Sequence, residues 1–296
     1  MFLTTAEAAD YLRLGERKLY ELVANGAIPC SKVTGKWLFP KAEIDRWVMA
    51  GLHRPDSMPA ADPPPIIGGS QDALLEWCQR ESGSGLATLA EGTERGIQRL
   101  QQGEVIAAAI HVHRDGTPDA NQGEANIGTA QLTAGLHDAV LVGFAKREQG
   151  LLVPPGNPKQ LHSLSDVLSR GATMAVRQPG AGAQMLLDVM LRREGAKAQD
   201  LRRRNPPCLT GPDLAATVRS GSADCGIATR AAAKAGGLDF VPLVWEHFDL
   251  LMRQRSFFQP PMQALMKLLT SARTREQAAA LTGYDLATAG TIRFAA

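Results

Sequence analysis

The sequence predicts an α/β protein in two parts: a small front module of short helices and a hairpin, then a larger domain of alternating strands and helices. Three observations carry this reading. Thr4 to Val48 holds helix caps, turns and short apolar faces at close spacing. From Ile66 onward, short apolar runs that stop at glycine alternate with apolar-periodic helical stretches, the pattern of a mainly parallel sheet covered by helices. Between them Arg54 to Pro65 reads RPDSMPAADPPP, which has no periodic apolar residues and predicts a semi-rigid linker. The expected divisions are therefore 1–53, 54–65 and 66–296.

In the front module Thr4 is placed to cap a helix, with Glu7 three residues on as a capping box requires. Ala8, Ala9 and Leu12 supply its apolar face. Gly15 breaks the pattern, and a second helix runs from about Glu16 to Ala24 on Leu19, Leu22 and Val23. Asn25-Gly26 ends it, since both residues tolerate the left-handed conformation of a C-cap. Two short helices on a tight turn are the core of a helix-turn-helix. A hairpin with a basic tip follows, turning at Thr34-Gly35, and Lys41 to Val48 closes the module with Ile44, Trp47 and Val48 turned inward. This order resembles the winged helix-turn-helix of the excisionase and MerR-like class. The resemblance implies that the second helix enters the major groove of double-stranded DNA. Arg17, Lys18 and Tyr20 would face bases or phosphates, and Lys36 on the wing would reach the backbone. Residues 1–54 hold eight Lys/Arg against six Asp/Glu. So weak a net charge implies binding by local placement of charge and by two copies of the module, as in a homodimer or higher homo-oligomer.

In the larger domain Ile66-Ile67-Gly68-Gly69-Ser70 reads as a strand running straight into a helix through Leu74, Leu75 and Cys78. Such a junction presents free backbone N–H groups that attract an anion. Leu86–Ala90, Val105–Ile110, Val140–Phe144 and Gly150–Val153 read as further strands, with a helix over Glu94–Gln101 and a polar loop from His113 to Gly128. A second series follows: a helix capped by Ser163, a strand at Met174–Val176 ending in RQPGAG, a helix to Leu191, a helix opening at Thr210, and a strand at Ala223–Ala228 with Thr229 starting a helix. Phe240–Val244 and Phe248–Met252 are strand-like, and helices over Met262–Leu269 and Arg275–Leu281 close the chain. Arg202-Arg203-Arg204 reads as a solvated basic run.

The chain has 296 residues, 21% charged and 44% hydrophobic, with a formal net charge of +2. Cys30, Cys78, Cys208 and Cys225 show no metal-ligand or disulfide spacing, and the N-terminus has no signal peptide, so a reducing, cytoplasmic setting without a membrane segment is expected. His111 and His113 lie two apart after a strand with only Asp115 and Asp119 nearby, which favours a turn-lining pair over a metal site. Trp245-Glu246-His247 has no nucleophile beside it, and Trp245 reads as a packing residue. No Walker loop, GxSxG elbow or metal motif stands at a strand end, so no enzyme, cofactor or metal is expected.

The order GGSQD, LATLAEGT, VIAAAIH, GLLVPPGNP, MAVRQPGAGA, ADCGIA and TGYDLATAG resembles the type II periplasmic-binding-protein fold, and more closely the molybdate-binding-like domain that some bacterial regulators carry behind a helix-turn-helix. The resemblance implies two α/β lobes, about 66–145 plus 245–296 and about 150–240, crossing near Arg147–Leu152 and Val241–Trp245. It implies an oxyanion held between them by Ser70, Thr93, the backbone of Gly180, Ala181 and Gly182, and Thr229. Gln71, Arg177 and Gln178 join by position, each flanking an anion loop. Ser70 and Thr93 fit equally well as plain N-caps, and Arg177 as the partner of a carboxylate. The expected function is a one-component DNA-binding transcriptional regulator sensing molybdate or tungstate. Another small anion or metabolite, an enzyme with an accessory DNA-binding module, and a ligand carrier stay open as alternatives.

Overall fold

The structure, a computed structural model, describes residues 1–33, 35–50, 62–114, 122–133 and 135–296. The chain divides into two units, Met1–Ala61 and Asp62–Ala296. Thr34 of the hairpin turn and residues 54–61 of the Pro-rich stretch lie outside the described residues.

The first unit contains β1 (Phe2–Leu3), α1 (Thr5–Tyr11), α2 (Glu16–Ala24), β2 (Ser31–Val33), β3 (Lys36–Pro40) and α3 (Lys41–Ala50). The capping box on α1 is formed: Thr4 N donates to Glu7 Oε2 at 2.8 Å and Glu7 N to Thr4 Oγ1 at 3.3 Å. Leu3, Ala8, Ala9, Leu19, Ile28, Phe39 and Ile44 make its core. The sheet order is β1-β3-β2, so the hairpin gains a third strand from the first residues of the chain. Val48, expected inward, is exposed, because Ile44 and Trp47 already fill the buried face of α3.

The second unit runs β4 (Ile66–Gly69), α4 (Ala73–Glu81), β5 (Ala87–Ala90), α5 (Thr93–Gln102), β6 (Ala107–Ile110), α6 (Gln122–Leu132), β7 (Ala139–Val153), α7 (Leu164–Ser169), β8 (Thr173–Arg177), α8 (Gly182–Arg193), β9 (Arg202–Cys208), α9 (Gly211–Arg219), β10 (Cys225–Thr229), α10 (Arg230–Gly236), β11 (Asp239–Arg253), α11 (Gln254–Phe257), α12 (Pro260–Leu269), α13 (Ala272–Leu281), β12 (Tyr284–Asp285) and β13 (Ile292–Ala295). The sheet order is β5-β4-β6-β11-β7-β10-β8-β9, with β12 and β13 also on β7. Parallel β5-β4-β6 forms one lobe and parallel β10-β8-β9 the other. Between them β7 and β11, 15 residues each, pair antiparallel and run from one lobe into the other. Ile67, Leu74, Phe144, Phe248 and Leu265 anchor the first lobe's core, and Leu151, Leu164, Met174, Leu186 and Ile227 the second's.

Several sequence expectations are corrected here. The segments expected at Val140–Phe144 and Gly150–Val153 are one continuous strand, and those at Phe240–Val244 and Phe248–Met252 are another. Their charged middles, Lys146-Arg147-Glu148-Gln149 and Glu246-His247, stay in register across the lobes. The sheet is mixed, because both long strands run against their neighbours β6 and β10. Helix α6 occupies the second half of the loop expected at His113–Gly128. The basic run Arg202-Arg203-Arg204 opens an edge strand, where Pro206 and Pro207 cost little because one side has no partner to serve.

The turn after β4 shows why glycine stands at Gly69 and Gly96. Gly69 has φ +105°, and a Cβ there would lie 2.3 Å from Ala109 O, while a Cβ on Gly96 would lie 2.4 Å from Gly69 Cα. The bare helix face lets α5 press against the end of β4. Alanine ordinarily favours a helix interior over glycine by about 1 kcal/mol. At Gly96 the sign should reverse, with Gly96→Ala destabilising by about 1–3 kcal/mol in urea unfolding; a neutral or stabilising result would disprove this close approach.

Candidate ligand-binding site

Strand C-termini and helix N-termini of both lobes converge on a cleft of about 30 Å³. Ser70 and Gln71 reach it from the end of β4 and His111 from the end of β6. Arg147 and Gln149 come from β7, Arg177 from the end of β8, Ala181 and Ala183 from the start of α8, Gly211 from the start of α9, and Ala228 and Thr229 from β10. This follows from the topology, since parallel strands point their carboxyl ends, and the helices after them their amino ends, at one crevice.

Behind the cleft lies a buried polar network centred on Glu246 of β11. Its Oε1 accepts from Arg147 Nε at 2.6 Å and Gln149 Nε2 at 2.9 Å. Its Oε2 lies 2.9 Å from His111 Nδ1 and 2.7 Å from His113 Nε2. Arg147, cross-strand from Glu246, also donates to Asp72 Oδ2 at 3.0 Å and lies over the Phe248 ring at 4.0 Å. Asp72 in turn caps α4 through Leu74 N and Leu75 N and accepts from Tyr284 Oη at 2.9 Å. Burial opposes charge on Glu246, but the nearby imidazoles and the Arg147 guanidinium hold its pKa well below the usual carboxylate range. Burial pushes the His111 imidazole down to about 4.

Of the residues expected to hold a ligand, Ser70, Gln71, Arg177, Ala181 and Thr229 line the cleft. Thr93 lies fully buried behind them, with its Oγ1 2.9 Å from Ser70 Oγ. Gly180 and Gly182 flank Ala181 and touch the other lobe instead: Glu94 N donates to Gly180 O at 3.2 Å, and a Cβ on Gly182 would meet the His111 ring at 2.4 Å. Gln178 does not line the cleft; its Nε2 donates to Leu209 O at 3.3 Å. Arg177 donates to Cys208 O at 3.1 Å and Leu209 O at 2.7 Å, and among the described residues it pairs with no carboxylate. Burial and the neighbouring Arg147 charge push its pKa down to about 10, which leaves it charged at neutral pH. Thr229 Oγ1 accepts from Ala232 N at 3.3 Å, so its hydroxyl hydrogen stays available. Helix α8 has no side-chain cap, and while Gln184 N donates to Ala181 O at 2.9 Å, the N–H groups of Gly182 and Ala183 at the cleft have no side-chain partner among the described residues.

Sequence reasoning missed His111, Arg147, Gln149, Ala183, Gly211 and Ala228. The signal for two of them was present: Arg147 and Gln149 alternate within a charged run bounded by apolar strands, the spacing that puts both on one face. His111 and His113, read as a turn-lining pair, are buried against Glu246. Trp245, read as a packing residue, is 45% exposed.

In the first unit Arg17, Lys18 and Tyr20 lie on the exposed side of α2, opposite buried Leu19. Arg17 and Lys18 both lean toward Glu21, at 3.9 and 3.1 Å. Lys36 is exposed at the start of β3.

Comparison with known proteins agrees with this architecture. Residues 2–51 match the family model described as a helix-turn-helix domain, and residues 75–270 match that of the PBP superfamily domain. An uncharacterized Bacillus subtilis protein, YvgK, is 22% identical over 304 residues, covering 98% of this chain and 96% of its own length. Two solved structures share the fold. A phosphate-bound putative phosphate ABC transporter substrate-binding protein from Clostridium perfringens has TM-score 0.52 and 13% identity, over 73% of this chain and 96% of its own. An H2O2-bound mutant of OxyR from Corynebacterium glutamicum has TM-score 0.52 and 11% identity, over 94% of this chain and 89% of its own. With 75–270 matched by one model, this chain belongs to the PBP superfamily and carries a helix-turn-helix domain at its N-terminal end.

Proposed function

We propose that the chain is a one-component transcriptional regulator that binds DNA through its first unit and a small, fully deprotonated oxyanion in the cleft of its second. A helix-turn-helix domain joined to a PBP-like domain is the make-up of a DNA-binding regulator with a small ligand. The oxyanion reading rests on one observation. A cleft of about 30 Å³ is lined by hydroxyls, amides and two guanidiniums and, among the described residues, by no carboxylate. Sugars and most metabolites need several hundred Å³.

The donor set narrows the class. Phosphate near neutral pH carries a proton that wants an acceptor, whereas molybdate, tungstate and sulfate need donors alone. Ser70, Thr229, Arg177 and the first turn of α8 supply donors, and Thr93 stands behind Ser70 to orient its hydroxyl. The phosphate-bound structural relative supports the oxyanion class. The molybdate-binding resemblance supports molybdate or tungstate within it. Ligand bridging the two lobes would favour the closed form, and a dimer would pass this to a pair of DNA modules; ligand and DNA then couple reciprocally. No catalytic role is assigned to any residue.

Molybdate or tungstate should raise the thermal midpoint, by the equivalent of about 2.7 kcal/mol at a hundred times Kd. Arg177→Gln and Ser70→Ala should each weaken binding about tenfold or more, read against each variant's own ligand-free stability. A flat response to molybdate, tungstate and sulfate alike would remove the ligand assignment.

DNA from upstream of the chain's own gene should be retarded in a gel shift, differently with and without molybdate. Arg17→Ala and Lys36→Ala should weaken retardation, each lowering the log–log salt slope by about 0.9. Equal retardation by all variants, or none by the parent chain with or without molybdate, would count against the regulator.

A further inference from the structure

The histidines behind the cleft have a use that anion binding does not require. His111 Nδ1, His113 Nε2 and Glu246 Oε2 lie within 4.8 Å of one another, and all three residues are buried. We propose that these three atoms bind a divalent transition-metal ion of zinc-like ligand preference, at the floor of the first lobe.

Four features support the site. Its geometry comes first. Oε2 stands 2.9 and 2.7 Å from the two ring nitrogens and all three atoms lie within 4.8 Å of one another, so ligand bonds of about 2.0–2.2 Å to one ion require Oε2 to draw back from both nitrogens. The rings stand at 90° with centroids 6.0 Å apart, so both nitrogens face the carboxylate from different directions.

The scaffold is rigid. The histidines sit at the end of β6 and the glutamate on β11, two strands paired antiparallel in the middle of the sheet. The carboxylate is also held from behind, where Arg147 Nε and Gln149 Nε2 occupy Oε1 and fix the direction in which Oε2 points. Outer partners of this kind orient a metal ligand and tune its affinity.

Charge is the third feature. Asp72 and Glu246 set two carboxylates against the one guanidinium of Arg147 in this buried group. A divalent ion at Oε2 supplies positive charge to that excess of carboxylates.

The donor set selects the metal class. Two imidazoles and one carboxylate suit Zn²⁺, Co²⁺, Ni²⁺ or Fe²⁺, whereas Ca²⁺ and Mg²⁺ prefer oxygen alone. Three protein ligands leave a further coordination position, and His111 borders the anion cleft. The proposal does not depend on the oxyanion reading, because no ligand atom is shared with an anion.

The test uses the full chain, stripped with chelator and titrated with Zn²⁺ against a chromophoric competitor and with Co²⁺ by visible absorption. One equivalent per chain is expected, with the d–d bands of a low-coordinate nitrogen–oxygen site and no thiolate charge transfer. His113→Gln should lower affinity at least tenfold and His137→Ala, an exposed histidine, should leave it unchanged. Glu246→Gln should also lose the metal. If that variant fails to fold, His113→Gln still decides, because it leaves the Arg147–Glu246 pair in place, with circular dichroism confirming its fold. Absence of stoichiometric metal, thiolate bands pointing to the cysteines, or equal affinity in parent and His113→Gln would each overturn the site and leave a hydrogen-bonded histidine–carboxylate cluster.

Discussion

The Arg147–Glu246 pair is the constraint on which the second unit depends. Both side chains are almost fully buried, at 2% and 1% exposure. Taking two charges from water is costly, and the cost is offset only when the remaining donors and acceptors find partners. Here they do. Arg147 reaches Glu246 and Asp72 and covers a phenylalanine ring, while Glu246 takes contacts on both oxygens. Losing one partner of such a pair costs about 3–5 kcal/mol, mostly through the charge left behind. The pair also fixes geometry. Through Asp72 it sets the start of α4, through the histidines the end of β6, and through β7 and β11 the strands joining the lobes.

Around that anchor the cleft is shaped by what is missing. Gly182 lies against the His111 ring, Gly180 against Glu94, and Gly92 against Ala181, each at a distance where a side chain would intrude. Loops of the two lobes therefore meet backbone to backbone. That keeps the cleft between them narrow, at about 30 Å³. The small cavity and the glycines share this cause.

The parts of the fold legible in the sequence were those written locally. Thr4-x-x-Glu7, Gly15, Asn25-Gly26 and the hairpin residues lie within a few positions of what they determine, and the strand–glycine–helix junctions at Ser70 and Arg177–Gly182 are equally local. The long strands were misread because their polar middles look like loops. Only pairing across about a hundred residues, Arg147 with Glu246, shows that the charges are inside. The same distance hid the role of His111 and His113, whose partner is remote in sequence. Helix α6 was missed because Gly and Gln weaken its periodic signal, and β9 because Arg and Pro are poor strand markers away from a sheet edge.

The charges of the cleft divide the work between its two arginines. Arg147 contributes no net attraction to an anion, because Glu246 and Asp72 together more than offset its charge. Arg177 differs: its Nε and Nη2 donate to neutral oxygens, those of Gln178, Cys208 and Leu209, which bring no countercharge. Burial and the Arg147 charge both act against that cation. An anion between the lobes relieves both effects at once, so the closed form gains most when the cleft is filled by negative charge. In the proposed regulator Arg177 would confer selectivity for charge, while Ser70, Thr229 and the start of α8 would select for shape and for the absence of a ligand proton. On the same proposal, closing β8 and α8 onto β4 and α5 would require an ion small enough to touch both sides, which would tie affinity to closure.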